Sequence, residues 1–250
     1  MVAVVNLGLI GYPLLHSFSK EFFESKFKSL GLTDFSYSNF SIEKIEDIQN
    51  LLRSDLFGLN VTIPYKSSII QYLNEIDPTA LQIGAVNTLV RTGDYSWKGF
   101  NTDIIGFKLS LEDWMKGNSF PECALILGTG GAAKAIKYAL LNLGIRPTMV
   151  SRGSNGDYTY RNINREEISR HRLIINATPL GMEPNKERYP AIPYEYLSAD
   201  HWLYDVVYNP ANTLFLTRGQ QMGAHVKNGL DMLHLQAEHA WIIWKSYGRF

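Results

Sequence analysis

The chain has 250 residues, of which 45% are apolar and 19% charged, with 24 basic side chains against 24 acidic ones. Such a length suits one large domain or two of roughly 100–150 residues, and the composition excludes a disordered chain. A formal net charge of zero leaves no electrostatic footprint for nucleic acid or an anionic membrane surface.

No stretch approaches the ~20 apolar residues of a membrane span. The apolar amino-terminal run lacks a basic leader and a small-residue cleavage site. The single cysteine, Cys123 in Cys-Ala-Leu-Ile-Leu, reads as a small core residue compatible with a reducing compartment. A cytoplasmic location is therefore expected.

In chain order, short β-branched runs alternate with amphipathic helical patterns, the rhythm of an α/β fold with a largely parallel sheet. Residues 4–10 read as a buried strand, followed by a helix with Phe22, Phe23, Phe27 and Leu30 at helical spacing and a stop at Gly31. A second strand is expected over 35–42, and a helix over 43–53 with Ile45, Ile48, Leu51 and Leu52 on one face. A third strand over 56–63 ends at Pro64, and helical stretches run to about 83. Two strands then flank Thr92-Gly93-Asp94-Tyr95 as a hairpin. The polar stretch 116–121 reads as a linker. Beyond it lies the clearest strand–loop–helix unit, whose helix carries Ala132, Ala135, Ile136, Ala139, Leu140 and Leu143 before Gly144. Further strands are expected over 147–151, 173–176, 202–207 and 224–227, and one long helix over 230–247.

The loop Gly128-Thr129-Gly130-Gly131-Ala132-Ala133 fits G-x-G-x-x-G/A between that strand and helix. The first glycine makes a tight turn, the second admits a pyrophosphate to the helix N-terminus, and the small last residue allows close helix–strand packing. No Gly-Lys-Ser/Thr occurs anywhere, so this is not a Walker A loop. The next strand ends in Met149-Val150-Ser151-Arg152, where an acid would bond the ribose hydroxyl of NAD and an arginine would accept the phosphate of NADP. Arg152, assisted by Ser151, therefore points to NADP. Asp157, further along, keeps an NAD reading open.

Polar clusters punctuate the strand ends: His16-Ser17-Phe18-Ser19, Asn60-Val61-Thr62-Ile63-Pro64-Tyr65-Lys66, Gly84-Ala85-Val86-Asn87-Thr88, Asn101-Thr102-Asp103, Asn176-Ala177-Thr178-Pro179-Leu180-Gly181-Met182 and Asn228-Gly229-Leu230-Asp231-Met232-Leu233 with Gln236. In order and spacing these resemble the shikimate dehydrogenase family over nearly the whole chain. The resemblance implies an α/β protein of two domains with a cleft between them. Residues 1–102 plus 231–250 would form an N-terminal α/β substrate-binding and catalytic domain, and 103–230 a Rossmann-like NADP domain. It implies reduction of 3-dehydroshikimate to shikimate in chorismate biosynthesis, with Lys66 and Asp103 as the catalytic pair. Ketone reduction needs a proton delivered beside the developing alkoxide. Lysine can donate it, and the carboxylate can orient the lysine and bond a ring hydroxyl.

By the same resemblance Ser17 and Ser19 would bind the substrate carboxylate, and Thr62, Asn87 and Gln236 the ring hydroxyls. His16 would orient the loop at most. Asn176, Ala177 and Thr178 would touch the cofactor, with Tyr208, Gly229 and Met232 near the nicotinamide. Each residue has an ordinary alternative. Either serine could cap the following helix, with Ser19 well placed for it; Lys66 could be a solvated residue in a first helical turn; Asp103 could be a helix N-terminal acid; Tyr208 could be core and Met232 a gap filler. The chain departs from the family pattern at Lys20, where proline is usual, at Phe18, and in lacking a second arginine near Arg152. Rival readings are a quinate or dual quinate/shikimate dehydrogenase using NAD, and a non-catalytic NADP-binding sensor. No Tyr-x-x-x-Lys and no H-E-x-x-H occurs, which argues against a short-chain dehydrogenase and a metal enzyme. The expected species is a monomer or homodimer, with no metal.

Overall fold

The computed structural model describes residues 4–14 and 17–248; His16 lies outside them. The chain divides into two compact units, Met1–Thr102 with Ala237–Phe250, and Asp103–Gln236. The second division, after Gln236, falls within the last helix. Among the described residues no helix is long and apolar enough to cross a membrane.

The first unit contains β1 (Val5–Gly11), α1 (Phe18–Ser29), β2 (Phe35–Ser41), α2 (Ile48–Leu52), β3 (Gly58–Val61), β4 (Glu75–Ile76), α3 (Pro78–Ile83), β5 (Thr88–Gly93) and β6 (Ser96–Phe100). Its sheet runs β2-β1-β3-β5-β6-β4. The β2-β1-β3 side is parallel, and β5 runs antiparallel to both neighbours. Along β1, Leu7 and Leu9 face one apolar cluster and Ile10 the other, the period of two that a strand imposes. Both faces are thus covered, which is why β1 reads as a continuous apolar run. On one face Phe23 stacks on Tyr37 with ring centroids 4.8 Å apart and meets Trp244 at 5.1 Å.

The second unit contains α4 (Asp103–Trp114), β7 (Cys123–Leu127), α5 (Gly131–Asn142), β8 (Arg146–Ser151), β9 (Tyr158–Thr159), α6 (Arg165–Arg170), β10 (Leu173–Asn176), β11 (Trp202–Asp205), α7 (Leu214–Gln221) and β12 (His225–Lys227). Helix α8 (Leu230–Tyr247) begins in this unit and ends in the first. The sheet order is β9-β8-β7-β10-β11-β12, every pairing parallel. In chain order this is strand three, two, one, four, five, six, the doubly wound Rossmann arrangement. Ala124 and Ile126 of β7 enter one cluster, Leu125 and Leu127 the other.

Several expectations are corrected in detail. The helix expected over 43–53 is a 3-10 turn, Ile45–Asp47, followed by the short α2. The region up to 83 holds a 3-10 turn, Ser68–Tyr72, and the two-residue strand β4 before α3. That helix is fully capped: Asp77 accepts from the Thr79 and Ala80 amides, Pro78 opens it, and Gly84 ends it left-handed. Leu30, expected on the apolar face of α1, is exposed because the helix stops at Ser29. The stretch 116–121 is a loop inside the second unit, between α4 and β7.

Trp244 is fully buried and donates its indole N–H to the Leu89 carbonyl at 2.9 Å. Trp244→Phe removes that donor from a buried acceptor, which costs about 1–3 kcal/mol. Urea unfolding followed by circular dichroism should show a lowered midpoint for the first unit; an unchanged midpoint would refute the role given to this bond.

Candidate functional site

In the first unit Ser17, not Ser19, is the N-cap of α1: its hydroxyl accepts from the Lys20 amide at 3.3 Å. Ser19 lies inside the helix and is half-buried. Burial raises the pKa of Tyr37 well above its ordinary value, against a smaller opposing effect of the Ser19 hydroxyl, so Tyr37 keeps its proton and donates it to Asn60 Oδ1 at 2.8 Å. Asn87 is buried where the chain passes from the end of α3 into β5. It is bound to Thr102 on both sides of its amide: the Thr102 amide and hydroxyl donate to Asn87 Oδ1 at 2.7 and 3.2 Å, and Asn87 Nδ2 donates to Thr102 Oγ1 at 3.0 Å. Asn60 Nδ2 in turn donates to the Asn87 carbonyl at 3.4 Å, so Tyr37, Asn60, Asn87 and Thr102 are joined through buried polar contacts.

Thr62 follows β3, and its amide donates to the Ile10 carbonyl at 2.8 Å. Lys66 is half-buried in a turn ahead of the 3-10 segment, not in the first turn of an α-helix, and its carbonyl accepts from the Val86 amide at 2.7 Å. Asp103 opens α4, directly after Thr102, and is only 4% exposed. A carboxylate is favourable at a helix N-terminus, but a surface cap would not need such burial.

In the second unit the glycine loop follows β7 where β8 and β10 leave on opposite sides, the switch point at which doubly wound sheets bind ligands. Gly128 has φ +117, a conformation that L side chains rarely adopt, and a Cβ there would press on the Ala177 carbonyl at 3.1 Å. Its amide donates to the Val150 carbonyl, while the Ala177 amide donates to Leu127. The ends of β7, β8 and β10 are thereby laced together, and Gly128, Ser151, Ala177 and Thr178 gather there. Gly130 is the N-cap of α5 and supplies no side-chain cap; nothing lies within 4 Å of a Cβ built on it. Those first-turn amides and that open face fit a dinucleotide pyrophosphate. Thr129 is half-buried in the loop, Ala132 lies in the first turn of α5, and Ala133 is fully buried against the sheet.

Arg152 is exposed just beyond β8, whereas Ser151 is buried and donates to the Gly153 carbonyl at 2.5 Å. Asp157, the residue that kept NAD open, accepts from the Met149 amide at 2.8 Å and so helps fasten the loop after β8.

Asn176 is fully buried and its amide group is committed within the protein. Oδ1 accepts from the Thr178 amide at 3.1 Å and hydroxyl at 2.6 Å; Nδ2 donates to the Leu180 carbonyl and to Asp205 Oδ1. Its work is to fold the 176–180 loop, leaving Ala177 and Thr178 as the partly exposed members. Asp205, which the sequence reading passed over, is fully buried at the end of β11 and also accepts from the Val207 amide and the Thr213 hydroxyl. Its position directly after an apolar strand was the available signal.

Tyr208 is half-buried beyond β11. Gly229 is packed against the backbone of Val206, so closely that a Cβ would overlap the Val206 carbonyl. Met232 is only 4% exposed and packs in the core cluster with Phe107 and Tyr204. Gln236, half-buried on α8, donates to the Leu233 carbonyl at 2.9 Å.

Burial pushes the Asp205 carboxyl up to about 7, although the Thr213, Val207 and Asn176 bonds favour the charged form. An unfolded Asp titrates near 3.9, so from about pH 4 to about pH 7 the folded chain holds a proton that the unfolded chain has lost. Stability should fall across that window and level off above it. Denaturant titrations at several pH values should show this decline, flattened in Asp205→Asn; an identical slope in the variant would contradict the assignment.

A family model described as the shikimate dehydrogenase substrate binding domain matches residues 9–89. The shikimate dehydrogenase (NADP(+)) of Halothermothrix orenii is 36% identical over 262 residues, 95% of this chain and 90% of the relative. The structure of shikimate 5-dehydrogenase from Thermus thermophilus in complex with NADP(H) and shikimate superposes with a TM-score of 0.85 at 30% identity, covering 97% of this chain and 94% of that one. Quinate dehydrogenase from Corynebacterium glutamicum in complex with NAD gives 0.84 at 26% identity, covering 98% and 94%. With more than a third of its residues shared along nearly its whole length, the chain belongs to the shikimate dehydrogenase family.

Proposed function

We propose that this chain is an NADP-dependent oxidoreductase that interconverts 3-dehydroshikimate and shikimate, acting in chorismate biosynthesis. The observation that carries the reading is the whole-length likeness to a relative named for that activity, supported by an arginine and no acid at the end of β8.

The residues divide by chemistry. In the second unit the Gly128–Gly131 backbone and Ala132 would hold the pyrophosphate, Arg152 the 2′-phosphate and Ala177 and Thr178 the neighbouring part of the nucleotide, with Tyr208 and Gly229 beyond. When bound, the nucleotide supplies the hydride. In the first unit a capping hydroxyl accepts with a lone pair, so Ser17 keeps its O–H to donate to a carboxylate. Ser19 would donate alongside it. Thr62 and Asn87, with Gln236, would bond the ring hydroxyls. Lys66 would deliver the proton to the carbonyl oxygen and stabilise the developing alkoxide. Asp103, largely shielded from water, would orient the lysine and accept from an adjacent hydroxyl. The likeness to a quinate dehydrogenase bound to NAD keeps a second substrate and cofactor in view, and Arg152 is the feature that favours NADP over it.

Purified protein should oxidise shikimate with NADP+. Lys66→Ala should lower kcat by roughly 10²–10⁴-fold with a much smaller change in KM; an unchanged kcat would remove the lysine from the proton path. Arg152→Ala should raise the KM for NADP+ and spare that for NAD+, and equal losses for both would remove its phosphate role.

A further inference from the structure

Asn176 spends its whole hydrogen-bonding capacity inside the protein, and one of its bonds leaves the loop it folds. Two backbone groups fix which end of its amide is which. The Thr178 amide can only donate, and it meets Oδ1 at 3.1 Å; the Leu180 carbonyl can only accept, and it meets Nδ2 at 3.1 Å. The second lone pair of Oδ1 takes the Thr178 hydroxyl, and the second N–H goes to Asp205 Oδ1 at 2.9 Å. Asp205 thus ties this amide to the neighbouring strand. Its Oδ1 also accepts from the Val207 amide at 3.0 Å, and its Oδ2 from the Thr213 hydroxyl at 2.5 Å. Thr213 is the N-cap of α7; its oxygen accepts from the Leu216 amide, which leaves its proton for the carboxylate. Asn176, Asp205 and Thr213 are at most 1% exposed, so water cannot substitute for a missing link.

This chain of bonds holds the turn that abuts the glycine loop. The Ala177 amide donates to the Leu127 carbonyl at 2.9 Å, and a Cβ on Gly128 would stand 3.1 Å from the Ala177 carbonyl oxygen. At the far end of the same loop Gly181, with φ +99, approaches Thr213 so closely that a Cβ would stand 3.0 Å from its Cγ2. Thr213 therefore grips the 176–181 loop twice, by its methyl at Gly181 and by its hydroxyl through Asp205 to Asn176. We propose that Thr213, acting through Asp205, is a positioning residue for the nucleotide: it sets how the 176–178 turn stands against the glycine loop, and so how tightly the dinucleotide is held there. Buried as it is, Thr213 does this without touching the ligand. The inference rests on the assignment of Gly128–Gly131 and Ala177 to the nucleotide.

Thr213→Val keeps the methyl and deletes only the hydroxyl, whereas Thr213→Ser keeps the hydroxyl and loses the methyl. Two readouts separate the positioning from the nucleotide assignment: the side-chain amide signals of Asn176 by ¹H–¹⁵N NMR, and the Kd for NADP+ by calorimetry. Thr213→Val should move the Asn176 signals and weaken NADP+ binding roughly 5- to 50-fold, with the KM for shikimate at saturating NADP+ unchanged. Thr213→Ser should stay within about 3-fold of wild type in Kd. A merely structural role would lower the melting temperature of Thr213→Val and leave the Kd of the folded protein where it was. Should the valine variant not fold, Thr213→Cys, whose thiol donates weakly, carries the same test with a smaller shift. Unmoved Asn176 signals in the folded variant overturn the positioning. Moved signals with an unchanged Kd overturn its bearing on the nucleotide. A wild type that binds no NADP+ would count against the proposed function, while the Asn176 signals would still decide whether Thr213 sets the loop.

Discussion

Polar side chains buried at strand ends must find their partners inside the protein, because an unpaired donor or acceptor cut off from water costs about 1–3 kcal/mol. Asn60, Asn87, Asn176 and Asp205 are all under that constraint. In the first unit it joins β2, β3 and β5 through Tyr37, Asn60, Thr88 and Asn87, and reaches Thr102. In the second it joins β10, β11 and the start of α7 through Asn176, Asp205 and Thr213. In each sheet the pairings that satisfy buried atoms also fix the loops from which the candidate ligand-binding groups project. Preorganisation at these sites is the consequence of burying amides and a carboxyl where the strands stop.

The two units apply the constraint differently. In the second unit the side chains shape the loop and the backbone faces the ligand: Asn176 folds residues 176–180, and Gly128 turns with φ +117 so that the loop clears Ala177. What remains for a nucleotide is peptide N–H, the partly exposed Ala177 and Thr178, and the exposed Arg152. In the first unit the candidate groups are side chains, and their own hydrogen bonds set which atoms they present. Ser17 shows this, since its oxygen accepts from the Lys20 amide at the start of α1 while its O–H can still donate.

Much of the fold was legible because hydrophobic periodicity carries it. Strands β7 and β10 and helix α8 follow from apolar runs bounded by glycine or polar residues, and the doubly wound sheet follows from their alternation with helices. Short elements were not legible. Strand β4 has two residues, and the segment 43–53 carries the same apolar spacing whether it coils as a 3-10 turn or as α-helix. At the candidate site, motifs located the loops but not the division of labour within them. Nothing local distinguishes Ser17 from Ser19 as the cap, and Tyr37 is one aromatic in a strand whose role depends on Asn60, 23 residues away. Asp205 and Met232 show the same limit: a carboxyl that no motif singled out is fully buried and bonded on several sides, and a methionine expected near the nicotinamide also packs in a core cluster.

The central claim is that these strand-end groups serve a hydride transfer between a nicotinamide dinucleotide phosphate and a hydroxylated ring acid. The direct measurement is the absorbance of reduced nicotinamide with purified protein, pairing shikimate and quinate in turn with NADP+ and NAD+. The account predicts a kcat/KM for shikimate with NADP+ well above the other three pairings. A preference for quinate with NAD+, or no turnover in any pairing despite measurable NADP+ binding, would contradict it.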